Sequence, residues 1–439
     1  MSYNGYITKI KDLRKHSNAD RLQAGTCFGN QVIVSMETTE GQMGVYFPTD
    51  GRLGEEYCIE NNLLRKKNDM GVEIGGYLDE RRHVTSLKLR KEMSDGLFMP
   101  LESLSKFTDI KALKDGDMIT VLNGITICEK YIVKSKCTNS INKTKKETKK
   151  ESRKSKSKFV FFNEHINTTQ LAYNKHQFAV GDLCYITLKV HGTSARTAFS
   201  LQETKSRQTF LTKLFKKKTI TRAWKPVSGS RRVTLNFEKN NGGYYKDNGF
   251  REKYHSIVGE KLHKGETFFY EIVGYTGKDS FIMGQCNNKK LNDKDFVKKY
   301  GEITSFTYGC ENGENDIYGY RMTMTNEDGY EVEYSQELLK LRCEQMGIKC
   351  VTEFDKFIFT TIEDLMERVD KFYDGVDPVG KTHIREGVVV RIDGKEKFKA
   401  FKHKNDSFKI LEGIIKADAV EPDMEEAEDG QEAELGEEQ

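Results

Sequence analysis

A short apolar run that ends in a lysine constrains the fold of this chain more than any other segment. Residues 184–189 read Cys-Tyr-Ile-Thr-Leu-Lys, and the turn residues 192–194, Gly-Thr-Ser, follow after two positions. Because side chains alternate along a strand, Ile186 would face a core while Thr187 and Lys189 face the opposite side. Gly192 would let the backbone come close to a ligand there. A lysine at a strand end is more often a solvated edge charge, so this hexapeptide needs support from other segments.

Two charge-biased segments divide the rest of the chain, whose 439 residues leave room for two or three domains. Residues 134–158 carry a net charge of +9, and residues 421–439 carry −10. Both have too little apolar surface to offset the entropy of ordering. We therefore predict a flexible basic linker at 134–158, which is either a spacer or a non-specific phosphate tether. An acidic, disordered tail at 417–439 would aid solubility or mimic nucleic acid.

Residues 1–133 contain short apolar runs separated by turn residues. Examples of such runs are Tyr6–Ile10, Gln31–Val34 and Val45–Phe47. Short strands at close spacing are typical of a small barrel or sandwich, so we expect a β-rich domain at 1–133.

Strand and helix patterns mix in residues 159–416, which we assign to an α+β domain. The helices predicted there are Asp293–Lys299, with Asn292 as its N-cap, Gln336–Met346 and Ile362–Phe372.

The cysteines and the hydropathy of the chain indicate an intracellular, cytoplasmic protein. Nine cysteines are scattered without a CxxC pair, which argues against zinc and for reduced thiols. No apolar run reaches the ~20 residues of a membrane span, and the N-terminus lacks the pattern of a signal peptide. We expect a monomer that does not associate with membranes.

Arginines and carboxylates stand at positions suited to a phosphate-binding pocket. Arg231 and Arg232 follow a small-residue turn, where guanidinium groups could contact phosphate or simply form surface charge. Glu271 interrupts the apolar run 267–274, and Glu386 precedes a glycine and three valines. A buried, unpaired carboxylate costs several kcal/mol, so each is predicted to face a polar pocket or a salt bridge. Glu386 is the candidate metal ligand, because hard divalent cations prefer carboxylate oxygen.

Two further lysines, Lys402 and Lys404, would share one face of a strand at 398–404. Adjacent ammonium groups repel each other unless a phosphate lies between them, although a solvated lysine-rich edge is the alternative. Together with Lys189 and the two carboxylates, they favour nucleotidyl transfer by attack of the Lys189 amine on an α-phosphate. A free lysine with a pKa of ~10.4 is mostly protonated, so a metal ion and these lysines would have to favour the neutral amine.

In their order, these segments resemble motifs I, III, IV and V of the covalent nucleotidyltransferase superfamily. Within it, the chain is similar to ATP-dependent RNA ligases that carry an N-terminal OB-fold domain, as in Deinococcus and Naegleria. The resemblance includes the lead-in Asn167–Leu171 and the N-terminal segments Ser17–Leu22, Tyr46–Gly51 and Ser94–Leu97. It covers residues 1–133 and 159–416, and it implies an OB-like β-barrel joined to a nucleotidyltransferase domain.

The resemblance also implies roles for individual residues. Lys189 would form lysyl-AMP from ATP, and Glu386 would organise Mg²⁺ or Mn²⁺. The α-phosphate would be held during transfer by Lys402 and Lys404. The nucleotide would be contacted by Gly192, Glu271, Arg231 or Arg232, and Tyr308. AMP would then pass to an RNA 5′-phosphate, and an RNA 3′-hydroxyl would displace it, as in RNA repair at a nick or another break.

Related activities and a binding-only protein are the alternatives. DNA ligases and mRNA capping enzymes share the lysine chemistry but usually carry an OB domain after motif V, and only residues 405–416 separate Lys404 from the acidic region. A Lys-x-His-Gly motif, where DNA ligases more often have Lys-x-Asp-Gly, is a weaker argument for RNA ligase. A non-catalytic OB-fold RNA-binding protein would need neither Lys189 nor Glu386.

Overall fold

A computed structural model describes residues 3–17, 19–49, 51–67, 73–74, 76–89, 92–131, 157–166, 168–205, 220–237, 245 and 249–412. The chain divides into two compact units, of which the first consists of residues 1–133 and 409–423 and the second of residues 134–408 and 424–439. Most of the predicted basic linker and all of the acidic tail lie outside the described residues.

The first unit is built almost entirely from short strands. They are β1 (Gly5–Lys9), β2 (Lys11–Lys15), β3 (Leu22–Cys27), β4 (Asn30–Ser35), β5 (Met43–Phe47), β6 (Gly51–Leu53), β7 (Lys66–Lys67), β8 (Glu73–Ile74), β9 (His83–Val84), β10 (Ser86–Leu89), β11 (Glu92–Asp95), β12 (Leu97–Pro100), β13 (Met118–Ile119), β14 (Val121–Leu122), β15 (Ile125–Thr126) and β16 (Cys128–Lys130). The three strands predicted here from the sequence are β1, β4 and β5.

Small antiparallel sheets, rather than one closed barrel, organise the described strands of the first unit. A four-stranded sheet has the order β12-β5-β1-β13, and three-stranded sheets have the orders β2-β3-β4 and β16-β6-β9. The chain leaves the first of these sheets directly after β1, and the positive φ of Asp12 (54°) accompanies a register shift in the pairing of β2 with β3. Ile7, Val45 and Phe47 are fully buried and form the centre of this unit's apolar core.

The second unit contains the longer strands. They are β17 (Ser157–Phe159), β18 (Thr169–Gln170), β19 (Leu183–Leu188), β20 (Thr193–Lys205), β21 (Ile220–Gly229), β22 (Glu266–Gly277), β23 (Ser280–Phe281), β24 (Cys286–Asn287), β25 (Ile303–Thr304), β26 (Asn315–Thr325), β27 (Glu331–Glu333), β28 (Lys349–Cys350), β29 (Glu353–Ile358), β30 (Gly387–Ile392) and β31 (Lys399–Lys404). The structure is thus mixed α+β, as the sequence predicts.

Two main sheets carry the second unit. An eight-stranded sheet follows the order β17-β20-β22-β26-β27, with β21, β23 and β28 pairing off this path. A five-stranded sheet has the order β18-β31-β30-β19-β29. One face of the five-stranded sheet is apolar, because Ile186, Val388, Val390 and Phe401 pack with α-helical residues there in a single core cluster. The chain passes from the five-stranded to the eight-stranded sheet at residues 189–192.

Six α-helices lie in the described residues: α1 (Glu55–Glu60), α2 (Gly249–Gly259), α3 (Lys294–Tyr300), α4 (Gln336–Met346), α5 (Ile362–Phe372) and α6 (Asp406–Leu411). The predictions of α4 and α5 are confirmed with their exact bounds. The predicted N-cap Asn292 is wrong, since Asn292 adopts a left-handed conformation that ends the preceding 3₁₀ turn. Asp293 caps α3 instead, and its carboxylate accepts from the backbone of Asp295 and Phe296.

Two further properties of the described residues concern disulfides and membrane-spanning helices. Eight cysteines lie in the described residues, and no two of them form a disulfide. Within the same residues, no helix combines the length and apolarity that crossing a membrane requires.

Candidate active site

Lys189 stands where β19 leaves the five-stranded sheet. Its backbone N–H donates to the carbonyl of Gly387 at 3.1 Å, which fixes the end of β19 against the start of β30. As predicted, Ile186 lies in the apolar core, while Thr187 and Lys189 line a cavity on the other side of the sheet. Leu188 and Val190 also line this cavity, so packing and chemistry separate only along the part of β19 before Leu188.

One buried carboxylate holds two ammonium groups. Glu386 is completely buried, and its Oε1 lies 2.7 Å from Lys189 Nζ and 3.1 Å from Lys404 Nζ. The Lys189 side chain keeps 11% exposure, whereas that of Lys404 keeps 3%. A buried charge needs such partners, because desolvation costs several kcal/mol per ion. The structure thus brings together three of the residues predicted from the sequence.

Gly387 allows β30 and β31 to approach closely beside this carboxylate. Its φ is +143°, in the range that favours glycine, and a Cβ there would collide with the backbone carbonyl of His403 and come within 2.8 Å of Lys404 Cα. The sequence predicted that Gly387 lets another group approach the backbone closely, and in the structure that group is the backbone of the neighbouring strand β31.

The cavity beside Lys189 measures about 680 Å³ with its open mouth. Its walls come from β19, β20, β22, β26, β30, β31 and the start of α4. The lining residues are His165, Thr168, Thr187, Leu188, Lys189, Val190, Ser194, Arg231, Glu271, Tyr320, Gln336, Val351, Val389, Arg391, Phe398 and Ala400. A site of this size, with apolar walls and a few convergent polar groups, suits a small organic ligand.

Glu271 enters the cavity from β22. Its strand partner across the sheet is Ser194, whose hydroxyl lies 2.9 Å from the hydroxyl of Tyr320. Only 8% of Glu271 is exposed, so the sequence prediction that this carboxylate faces a polar pocket agrees with its position.

The structure distinguishes between the two candidate arginines. Arg231 is buried and lines the cavity, whereas Arg232 is absent from the described lining. The turn that carries both is held by the buried Arg196, whose guanidinium donates to the carbonyls of Ser230 and Arg231. Arg231 is therefore the better candidate for a phosphate contact.

Gly192 lies where the chain passes close to β22. A Cβ at this position would collide with the backbone carbonyl of Ile272 and lie 3.0 Å from Cγ of Glu271. The missing side chain thus lets the chain pass close to β22 as it enters the eight-stranded sheet. In this structure, the close approach that glycine permits is to a strand.

Tyr308 lies behind the cavity and outside its described lining. Its hydroxyl accepts the backbone N–H of His191 at 2.6 Å, and its backbone has a positive φ of 54°. Burial raises the pKa of Tyr308 well above its usual value, and the nearby carboxylate of Asp377 adds to the shift. Tyr308 is placed to position the 189–192 turn, and among the described residues the tyrosine that lines the cavity is Tyr320.

His191, next but one to the lysine, also packs behind the site. Its ring lies edge-on to Phe306 and Phe408, with centroids 4.7 and 4.8 Å away. Its Nδ1 is 3.8 Å from Oε2 of Glu386. This histidine therefore lies near Oε2 of Glu386, whereas the two lysines share Oε1.

Lys402 and Lys404 occupy alternate positions of β31, as predicted. Ala400, two residues earlier, lines the cavity, so period-two alternation places all three on the cavity side of the sheet. Lys402 is half-buried, and Lys404 is buried against Glu386.

Several cavity residues were missed by the sequence reading. They are His165, Thr168, Tyr320, Gln336, Val351, Val389, Arg391 and Phe398. Alternation could have found Phe398, which continues the face of Lys402 and Lys404, whereas Val389 and Arg391 continue the face of Gly387 and not that of Glu386. No local pattern marks Gln336, because it reads as an ordinary first residue of a helix.

Comparisons with known proteins bear on the fold. No protein-family model matches the sequence, and no curated protein matches it. Solved structures of an RNA ligase from Naegleria gruberi do match: one with PPi is 15% identical, with a TM-score of 0.54 over 92% of this chain and 97% of that chain. A variant of it with ATP and Mn is 15% identical, with a TM-score of 0.54 over 93% and 98%. Another variant, with AMP and Mn, is 14% identical, with a TM-score of 0.52 over 92% and 97%. This chain therefore has the fold of these RNA ligase structures.

Proposed function

We propose that this protein is an ATP-dependent RNA ligase that works through a lysyl-AMP intermediate on Lys189. The observation that carries the proposal is the pairing of the Lys189 amine and Lys404 with one oxygen of the buried Glu386, at the wall of a nucleotide-sized cavity. The shared fold supports it, since the matching ligase has been solved with ATP, AMP, PPi and Mn.

In the first step, the Lys189 nitrogen would attack the α-phosphorus of ATP. A nitrogen–phosphorus bond would form while the bond to pyrophosphate breaks, so pyrophosphate leaves and AMP stays on the protein. The amine must be neutral to attack, and the carboxylate of Glu386 at 2.7 Å is placed to accept its proton. Lys404 would then face the α-phosphate with a full positive charge, and Lys402, on the same side of β31, would add a second.

Glu386 is suited to hold a divalent cation. It offers two buried carboxylate oxygens, and Mg²⁺ or Mn²⁺ commonly binds one or two carboxylates while keeping several waters. A bound cation would neutralise charge on the phosphates. Because Lys189 and Lys404 share Oε1, an ion at this carboxylate would compete with their ammonium charges.

With its α-phosphate at Lys189, the nucleotide would extend along the cavity away from this lysine. Glu271 would contact the ribose, Arg231 would contact phosphate, and Tyr320 would supply an aromatic wall. We propose that Tyr308 positions the 189–192 turn through its hydrogen bond with His191 and does not stack on the nucleotide.

The next two steps would act on RNA. AMP would move from Lys189 to an RNA 5′-phosphate, and an RNA 3′-hydroxyl would attack that phosphate and release AMP. We assign RNA holding to the first unit, as an OB-like module, where Lys9, Lys11 and Lys15 of β1 and β2 are exposed. We further propose that it works as a cytoplasmic monomer in RNA repair and seals nicked RNA.

Label transfer tests this proposal. The protein is incubated with ATP labelled at the α-phosphate, with Mg²⁺ or Mn²⁺ and no nucleic acid, and is resolved on a denaturing gel. We expect a labelled band that Lys189→Ala abolishes and Lys356→Ala keeps, because Lys356 is an exposed lysine on the strand paired with β19.

The other outcomes point to the alternatives. Label from GTP alone would indicate a capping-type guanylyltransferase, and sealing of nicked DNA in preference to RNA would indicate a DNA ligase. A folded protein that takes no label from any nucleotide would be a binding protein. A fully labelled Lys189→Ala variant would overturn the assignment of the nucleophile.

A further inference from the structure

Gln336 is a buried amide that the steps above do not use. It is the first residue of α4, which Ser335 caps, and its backbone N–H donates to both carboxylate oxygens of Asp393 at 3.2 Å. Its side chain lines the cavity and the residue is 1% exposed, yet Nε2 has no hydrogen-bond partner among the described residues. Leaving such a group unsatisfied destabilises the folded protein. A ligand that bonds the amide would remove this destabilisation.

Arg391, which like Gln336 is bound to Asp393, also has buried nitrogen atoms without a hydrogen-bond partner among the described residues. It lines the same cavity, and its Nη2 donates to the carbonyl of Tyr334 and pairs with Asp393 Oδ1 at 3.0 Å. Its Nε and Nη1 have no partner within the described part of the chain. Asp393 therefore anchors both Gln336 and Arg391, and unused donors of both residues remain at one wall.

This wall lies at the far end of the cavity from the reactive lysine. The carbonyl of Gly387 accepts the Lys189 N–H, and Arg391 follows four residues later on the same strand, which is ~13 Å at the rise of an extended chain. The lining between the two ends includes Val389, and Phe398 lies beside Arg391 at the far end. A nucleotide with its α-phosphate at Lys189 would place its flat, apolar base between such side chains and direct the base edge at Gln336.

We propose that Gln336 is a specificity-determining residue that reads the nucleotide base and selects adenine over guanine. The inference rests on the proposed function. A carboxamide can accept from the adenine N6 amine and donate to N7, whereas guanine has an acceptor, O6, where adenine has the N6 donor. Arg391 adds donors for ring nitrogens that both purines have. An arginine alone would favour guanine, so the choice of base falls to the amide of Gln336.

Label transfer with paired nucleotides tests the role of Gln336. Initial rates are measured with ATP and with inosine triphosphate, which keeps N7 but carries an oxygen at position 6. For the unmodified protein we expect ATP to be favoured by about tenfold or more. Gln336→Met has nearly the same shape but no hydrogen-bonding groups, and it should remove the preference for ATP, so that the rate with ATP falls to or below the rate with inosine triphosphate, which Arg391 alone would favour.

A matched control and a fold check accompany this variant. Gln345 lies on the same helix but is exposed, so Gln345→Met should leave the ratio of the two rates unchanged. The melting temperature of each variant is measured alongside.

The outcomes separate this inference from the proposed function. An unchanged ATP-to-inosine ratio in a folded Gln336→Met variant would overturn the inference and leave the ligase intact. Equal rates with the two nucleotides in the unmodified protein would also overturn it, and this result needs no variant to fold. If the unmodified protein takes no label from any nucleotide, the proposed function itself fails.

Discussion

At the scale of single residues, Asp377 is a buried carboxyl group whose pKa departs clearly from its ordinary value. It is fully buried, its Oδ1 accepts from Val379 N at 2.8 Å, and within the described chain Oδ2 has no hydrogen-bond partner. Burial raises the pKa of Asp377 to about 7, against a partial opposing effect of the Val379 hydrogen bond. Near neutral pH, a large share of molecules should therefore hold a proton on this side chain.

Asp377→Asn should make the protein more stable at high pH. The folded state holds the Asp377 proton up to about pH 7, whereas the unfolded chain releases it near its ordinary pKa of ~3.9. Stability from this group is thus fully present below about pH 4 and lost as pH rises to about 7, by at most about 4 kcal/mol. The asparagine keeps the oxygen that accepts from Val379 and does not ionise.

Thermal melts at pH 5 and pH 8 measure the effect. The advantage of Asp377→Asn in melting temperature should be larger at pH 8, while Asp370→Asn, at an exposed position of α5, should show no such trend. An advantage that does not grow with pH would show that Asp377 is ionised in the folded protein at neutral pH.

At the scale of elements, Gly192 sets how closely the turn after Lys189 passes β22. Gly192→Ala should destabilise the protein by about 1–3 kcal/mol, because the added methyl meets a backbone carbonyl that cannot rotate away. Adenylation should also fall, since the methyl presses on Glu271 at the cavity wall. Chemical denaturation and label transfer measure the two effects.

The control for Gly192 is Gly277, near the end of β22. A Cβ there would meet nothing within 4 Å, so Gly277→Ala should change neither stability nor labelling. Equal behaviour of the two alanine variants would mean that the turn has room to move.

Helix α4 is fixed to β22 by a buried ion pair between Arg342 and Glu266. Arg342 Nε and Nη2 lie 2.9 and 2.7 Å from the two carboxylate oxygens, which also accept from the hydroxyl of Tyr334 and the backbone of His263. Burial alone would raise the pKa of Glu266, but these hydrogen bonds lower it. The carboxylate is thus ionised and depends on Arg342.

Arg342→Met should cost about 3–5 kcal/mol, because it leaves the charge of Glu266 buried without its cation. Adding Glu266→Gln should restore part of the loss. Arg368→Met on the partly exposed pair with Asp364 should cost below about 1 kcal/mol. Urea unfolding of the three variants and the unmodified protein measures this, and a double variant less stable than Arg342→Met would contradict the account.

At the scale of the whole molecule, the chemistry lies in one unit. Lys189, Glu271, Glu386 and Lys404 all belong to the second unit. A protein that begins at residue 134 should therefore keep self-adenylation with ATP, while sealing of nicked RNA falls by at least about tenfold, because the first unit's basic strands no longer hold the RNA. Parallel assays of label transfer and of sealing separate the two activities. Unchanged sealing would remove the RNA-holding role of the first unit.

The sequence predicted those parts of the structure that depend on local pattern. Helices α4 and α5 could be predicted because a serine and a threonine cap them and apolar residues recur along them. The alternation in β19 likewise indicated that Ile186 packs in the core while Lys189 lines a cavity. Among its described strands, the first unit does not form the predicted closed barrel, because strand spacing indicates short strands but does not determine how their sheets close.

The sequence by itself determined the residue types that the site needs: a lysine at a strand end, two carboxylates within apolar strands and two lysines spaced by two. Only the tertiary structure decided which of them meet. Glu386 lies 197 positions after Lys189 in the chain, and strand pairing between β19, β30 and β31 brings its carboxylate between Lys189 and Lys404. The tertiary structure likewise brings Gln336 and Arg391 to the cavity wall and Tyr308 behind it. Such assignments depend on long-range register, because a one-residue slip would turn each strand's side chains to the other face.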